Sequence, residues 1–388
     1  MDIKVRKAYL AEIRARYQSA DRLAKGAILD EVCQVCGYTR KHAIYQLGAR
    51  ARLLVQRPGP VPIYGPEVTQ WLVTLWRKMR RICAKKMKQA LPMWLGRLKA
   101  PELSPEIRAK LLKMSPATMD RLLKPIRAQE VPHGISTTKP GAFRKSKIPI
   151  RVHHWEIKSP GYMQADTVAH CGDSVEGAHG NTLTMTDIDS TWTENRAVWT
   201  KGSLPVFKQI QDIEVNLPFR ILGYSSDNGG EVLNQRLYAY FYESRKDGEK
   251  IQMTRSRAYR KNDQAHVEQK NWTHVRELFG YERVDHPDLV VLMNEIYKEY
   301  WGPLMNFYIP SMKLIRKTRI GARIKKEYDL PKTPYQRLLD SADLSEEAKN
   351  KLRLRYENLN PFALSEGLDK RLERFFWLIK RRHQRRVA

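Results

Sequence analysis

Between residues 161 and 200 the apolar pattern changes from helical spacing to alternation, and that switch narrows the fold more than any other feature of the chain. Alternating runs at about 161–170, 180–188 and 192–200 read as strands, with Gly172-Asp173 through Gly180 and Asp189-Ser190 supplying the turns. A helical run from Leu204 to Val215 follows. After it come a strand at 219–225, a helix at 231–243, a strand at 249–254 and a helix at 263–279. Three consecutive strands and then alternating helices and strands make a mixed sheet with helices on its faces.

Three carboxylates are placed conspicuously on this framework. The apolar run Phe219 to Gly223 leads into Tyr224-Ser225-Ser226-Asp227-Asn228-Gly229-Gly230-Glu231, so Asp227 stands at a strand end in a loop whose glycines permit unusual backbone angles. Asp-Asn-Gly-Gly by itself is also an ordinary turn. Upstream, the strand pattern Gly161 to Val168 carries Asp166 where a lysine or threonine would serve structure better. Downstream, Asn262 or Asp263 caps a helix on which Gln264, Val267, Glu268 and Asn271 share a face by their spacing of three and four. Carboxylates on a strand, a strand end and a helix can converge on two divalent ions about 4 Å apart.

Asp166, Asp227 and Glu268 resemble the Asp-Asp-Glu triad of bacterial insertion-sequence transposases with a retroviral-integrase-like (DDE) catalytic core. The Asp227-to-Glu231 loop and Asn262-x-x-Ala265-x-x-Glu268 before a basic helix match the same family. Forty residues separate Asp227 from Glu268, slightly more than is usual there, and the loop Ser244 to Glu249 accommodates the excess. The resemblance spans roughly residues 150–285. It implies an RNase H-like sheet and two Mg²⁺ (or Mn²⁺) ions per active site, held by Asp166, Asp227 and Glu268. It also implies an enzyme that cleaves transposon-end DNA, joins it to target DNA, and works on double-stranded DNA as a dimer or larger homo-oligomer. Asn228 and Gln264 are candidates for orienting substrate or carboxylates. His170 shares a strand face with Asp166 and reads as a supporting or surface residue rather than a ligand; His266 points away from Glu268 on an ideal helix.

The charge of +28 is divided unevenly. Residues 1–150 carry 31 Lys+Arg against 10 Asp+Glu, residues 151–300 carry 18 against 22, and residues 301–388 carry 21 against 10. An acidic middle between basic arms suits a metal-using core flanked by modules that bind a polyanion. With 388 residues the chain has room for several domains, and the expected class is multidomain α and α/β.

Residues 1–56 read as a helix-turn-helix. The stripe Leu23, Ala24, Ala27, Ile28 and Val32 breaks at Cys36-Gly37-Tyr38 and restarts behind Thr39, with Arg40, Lys41 and His42 opening the second helix toward DNA. Arg57 to Pro62 is a stiff linker. Residues 66–130 form a second helical, DNA-binding-like domain, with Ser115-Pro116 as a cap. The basic linker 131–150 places Arg144, Lys145 and Lys147 along a phosphate backbone, and Arg260, Lys261 and Lys270 do so beside the core at 151–285.

The region 286–388 is basic and mainly helical. Leu289 to Trp301 forms an amphipathic helix, and Lys313 to Lys326 is either a pair of strands or an extended basic arm. Thr333-Pro334-Tyr335-Gln336-Arg337-Leu338-Leu339 resembles a C-terminal element of the same transposases, and the chain ends in a helix. Cysteines 33, 36, 83 and 171 are too few for a disulfide framework, and Cys33-x-x-Cys36 has no partner pair for zinc. No apolar run reaches transmembrane length, so a cytoplasmic bacterial protein is expected. The competing functions are a catalytically inactive helix-turn-helix regulator derived from a transposase, and a nuclease acting on RNA–DNA hybrids.

Overall fold

The computed structural model describes residues 2–48, 63–130, 157–226, 231–232, 234–255, 265–321 and 323–387. The chain divides into two compact units, residues 1–63 and 64–388.

The first unit is a three-helix bundle of α1 (Ile3–Ser19), α2 (Arg22–Cys36) and α3 (Arg40–Gly48). Asp21 caps α2 by accepting from the Ala24 N–H (2.8 Å), and Gly37 ends it in the left-handed conformation with φ 67°. Thr39 caps α3 through the His42 N–H (3.4 Å). Leu10, Ile13, Ile28, Leu29, Val32, Cys36, Ala43 and Leu47 make the core, so Cys36 is a buried apolar group here.

The second unit is built on a five-stranded sheet: β1 (Tyr162–Ala169), β2 (Gly180–Asp187), β3 (Thr193–Trp199), β4 (Gly223–Ser226) and β5 (Gln252–Arg255). The strand order is β3-β2-β1-β4-β5. β1, β2 and β3 pair antiparallel in sequence, while β4 pairs parallel with β1 and β5 parallel with β4, the register placing Ala165 beside Ser226. This mixed sheet, with helices on both faces, is the RNase H-like arrangement expected from the sequence. Gly161 (φ 117°) must be glycine, because a Cβ there would lie 2.6 Å from the Arg220 carbonyl at the junction leading into β4.

One face of the sheet buries Met163, Ala165, Leu183, Met185 and Val198 against α8 (Ser203–Asn216) and α9 (Gln235–Tyr238), which runs on as a π-turn through Glu243. Against the other face lie α10 (Ala265–Lys270), its π-helical continuation Asn271–Arg276, and α11 (Glu277–Phe279). They are joined there by α12 (Pro287–Glu295), a π-helical stretch Ile296–Trp301 and α13 (Gly302–Tyr308).

A single apolar cluster on that side also takes in α4 (Pro66–Lys78), α5 (Ala84–Arg97), α6 (Pro105–Lys113) and α7 (Pro116–Glu130). Its remaining members come from α14 (Pro334–Asp340), α15 (Glu346–Asn358) and α16 (Pro361–Val387). Trp94 shows the sharing directly: fully buried, it donates from Nε1 to the Tyr308 carbonyl (3.2 Å) and meets Phe362 edge-on. Between α13 and α14 the chain forms a separate hairpin of β6 (Leu314–Ile320) and β7 (Arg323–Tyr328).

β3 is an edge strand, and its outward backbone groups are sealed by two asparagines. Asn306 accepts from the Thr193 N–H (3.0 Å) and donates to its carbonyl (2.9 Å). Asn294 does the same at Ala197 (2.8 Å each way). The edge is therefore closed to further strands. Among the described residues, no helix is long and apolar enough to cross a membrane.

Candidate active site

β1 displays Gln164, Asp166 and Val168 on one face by strand alternation, toward the α10–α11 segment, and His170 directly follows the strand. Two contacts lock strand to helix. Gln164, fully buried, accepts from the Val267 N–H in the first turn of α10 (3.3 Å), satisfying a helix-start donor from another element. Asn271 donates from Nδ2 to Asp166 Oδ2 (2.6 Å), while Asp166 Oδ1 accepts from the Thr167 N–H (2.8 Å). Glu268 lies between Val267 and Asn271, three residues before the latter, so the locked segment carries it on the helix turn that meets β1. The helix widens to π geometry at Asn271, one residue after α10 ends.

The structure thus brings the elements carrying Asp166 and Glu268 together. Asp227, with Asn228 and Gln264, lies outside the described residues, although β4 ends at Ser226 in parallel register with Ala165. Arg144, Lys145, Lys147, Arg260 and Lys261 also lie outside them. Arg40, Lys41 and His42 are exposed at the start of α3, with Arg40 paired to Asp30. Lys270 is half-buried, and burial, with the positive charges of Lys86 and Arg337, pushes its ammonium down to about 7.

His170 belongs to the core. It bonds Thr182 Oγ1 through Nε2 (2.8 Å), Thr182 Oγ1 in turn meets the Tyr297 hydroxyl (3.0 Å), and Phe279 lies edge-on to the imidazole. Burial, helped by Arg276 and His179, lowers its pKa to about 3, so the ring is neutral at ordinary pH.

Sequence reasoning missed three participants. Gln164 gave no signal beyond being polar in a strand. Asn271 was visible only as a member of the Glu268 helix face. The third is an ionic clasp behind the site: Glu231 pairs with Lys201 (2.6 Å) and accepts from Thr167 Oγ1 (3.1 Å), beside Asp166 in sequence. Burial would raise the Glu231 carboxyl, but Lys201 and Thr167 hold it below its ordinary value.

The donor chemistry at Asp166 suits a hard divalent cation. Asp166 and Glu268 carry carboxylate oxygens, and Asn271 adds a buried amide oxygen, Oδ1, that has no hydrogen-bond partner among the described residues. Asn271 Nδ2 must face the carboxylate, which leaves Oδ1 as the buried acceptor on the other arm of the amide. A buried acceptor left unmatched next to a carboxylate costs free energy unless something polar completes it. Among the described residues, no three His, Cys, Asp or Glu side chains converge, and the third carboxylate of the expected set is Asp227.

No family model matches the chain. It is 40% identical over 340 residues to the uncharacterized protein y4rM of Sinorhizobium fredii strain NGR234, an alignment covering 83% of this chain and 91% of that one. The chain belongs to the family of y4rM. It is also similar to the catalytic core domain of BIV integrase, at 17% identity and TM-score 0.27, over 50% of this chain and 99% of the core. A simian T-cell lymphotropic virus intasome in complex with the PP2A regulatory subunit B56 gamma is similar at 13% identity and TM-score 0.30, over 59% and 69% of the two chains. Those scores are too low to carry the fold, which rests on the strand order above.

Proposed function

We propose that this protein is a DNA transposase, a metal-dependent polynucleotidyl transferase that cuts element ends and joins them to target DNA. The observation that carries the reading is the Asn271–Asp166 hydrogen bond, which docks the helix bearing Glu268 onto the strand bearing Asp166. Asp166, Asp227 and Glu268 are the residues that would hold two Mg²⁺ or Mn²⁺ ions. Bound there, such ions lower the pKa of a water or a DNA 3′-hydroxyl and stabilise the leaving 3′-oxygen of an in-line displacement at phosphorus.

The remaining work falls to this chain's own groups. Asn271 fixes the rotation of the Asp166 carboxylate and presents Oδ1 beside it. Gln164 holds the start of α10 in place, and the Lys201–Glu231–Thr167 clasp ties the segment after β4 to β1. The exposed first turn of α3, with Arg40, Lys41 and His42, supplies sequence-reading contacts to duplex DNA. Two DNA ends have to be held together for joining, so the working form on DNA is a dimer or a larger assembly.

The test is a strand-transfer assay on the DNA that flanks the reading frame, with Mg²⁺ or Mn²⁺, comparing wild type with Asp227→Asn. Joined products from wild type alone support the reading. Salt-sensitive DNA binding without cutting or joining would instead favour an inactive regulator. Joining by both proteins would move the third carboxylate away from Asp227.

A further inference from the structure

The β6–β7 hairpin has a firmly built base and unburied strands. At the base, Ser311 and Lys332 exchange backbone hydrogen bonds (2.9 and 3.1 Å). The Lys313 N–H donates to Asp329 Oδ1 (2.6 Å), and Asp329 Oδ2 pairs with Arg337 Nη1 (2.6 Å). Lys313 Nζ reaches the Asp189 carboxylate (2.8 Å), and Thr191, at the left-handed φ of 62°, shares a hydroxyl contact with Ser311 (2.7 Å). The ribbon is thereby bolted to the β2–β3 turn of the core. Above that base its side chains are open to solvent: Ile315, Ile320 and Ile324 are 70%, 62% and 57% exposed.

A two-stranded ribbon whose side chains stand open to solvent is marginal in water, so its sequence would be expected to favour cross-strand attraction. One face is instead basic along both strands. The register sets Lys317 opposite Lys326 and Arg319 opposite Ile324, so this face presents three basic side chains and no carboxylate of the ribbon itself. The other face is partly self-compensating, with Arg316 opposite Glu327 and Lys325 paired to Glu327 (3.4 Å). Across Leu314–Tyr328 there are six Lys/Arg and one Glu. At about 3.3 Å per residue the seven-residue β6 reaches roughly 23 Å, and a ribbon of this kind has the width that the major groove of DNA admits.

We infer that the β6–β7 ribbon is a duplex-DNA contact, its Lys317–Arg319–Lys326 face set against the phosphate backbone. The inference rests on the reading that the chain acts on DNA and assigns one of the surfaces that hold it. The ribbon's anchored base makes the contact pre-organised, so binding does not have to order it.

The test uses the full chain and a 30-base-pair duplex probe, with affinity measured by fluorescence anisotropy over a range of salt. Lys317→Gln with Arg319→Gln and Lys326→Gln should weaken binding about 10- to 100-fold near 0.15 M salt. The same variant should flatten the slope of log K against log [salt] by about 2 to 3, because each phosphate contact contributes about 0.9. Arg316→Gln with Arg323→Gln and Lys325→Gln, which removes equal charge from the other face, should change the slope by less than about 1. Replacing residues 315–327 by a short Gly-Ser turn should reproduce the first loss with the melting temperature unchanged. Equal loss from both triple variants would reduce the effect to bulk charge and overturn the inference. So would wild-type affinity in the turn-replaced protein, even if it still joins DNA. A wild type that binds no duplex DNA would overturn the proposed function as well.

Discussion

Asparagine side chains dock helices onto the sheet at two strands, and they are used differently. At the β3 edge, Asn294 and Asn306 each spend both halves of the amide, oxygen on an N–H and nitrogen on a carbonyl of the same strand residue. At β1, Asn271 spends its nitrogen on Asp166 and, among the described residues, keeps a buried oxygen unmatched. Similar contrasts hold for the carboxylates. At β3, Arg196 meets both Glu194 (2.9 Å) and Asp212 (2.6 Å), and Lys298 also reaches Asp212 (2.9 Å). At β1 the donors seen on Asp166 include a neutral amide and a backbone N–H. A fully matched polar contact is what stability selects, whereas a half-matched one beside an acid is the arrangement the proposed function puts to use.

The contrast breaks most visibly if Asp166 is structural after all. Asp166→Asn keeps shape and one acceptor, so it should lower strand transfer by about 10³-fold or more while the protein still melts cooperatively. Retained joining by that variant, measured against wild type in the same assay, would remove β1 from the chemistry. Asn306→Ala should act in the opposite sense. It leaves a buried N–H and carbonyl of Thr193 unmatched, costing about 2–4 kcal/mol in urea unfolding, with joining preserved wherever the protein remains folded.

Asn271→Leu sharpens the comparison further, because it deletes the unmatched oxygen along with the Asp166 contact. Activity should fall about 10- to 100-fold, while unfolding free energy shifts by less than about 1 kcal/mol. A loss of stability as large as that of Asn306→Ala would make Asn271 another seal.

The smallest effect concerns His170, directly after β1 and enclosed by the core. Its folded pKa of about 3 lies below the unfolded value near 6.5, so the unfolded chain binds more protons in that window. Stability should therefore decline as pH falls below about 6.5, by up to about 1.4 kcal/mol per pH unit from this group. Buried His274, also shifted down, contributes in the same direction. Urea unfolding at pH 6.5 and pH 5 measures the slope, and His170→Gln should reduce it.

Much of this framework was legible in residue order. Alternation located β1, β2 and β3 to within about two residues, and helical spacing found α8, α10 and the α12 region. Ser115 does cap α7 through the Thr118 N–H (3.2 Å), and Thr333 and Gln336 form a reciprocal capping box at α14. Asp166 stood out in the strand pattern, where a lysine or threonine would serve structure better, and Glu268 was singled out only through the resemblance of its surrounding motif. Such features arise from side chains a few residues apart, and the sequence states them directly.

What only the tertiary structure decided are the partnerships between distant residues. Asn271 finds Asp166 across 105 positions, Asn306 finds Thr193 across 113, and Trp94 finds Tyr308 across 214. The helices of 66–130 were plain as helices, yet nothing in their periodicity said that their apolar stripes would share a core with α12 through α16. The basic stretch 313–326 could have been an arm until Lys317 was seen opposite Lys326. Periodicity fixes which face of an element is apolar, but it does not specify the register between two elements. That register is set when whole faces pack at once, and each of these hydrogen bonds exists only after it is set.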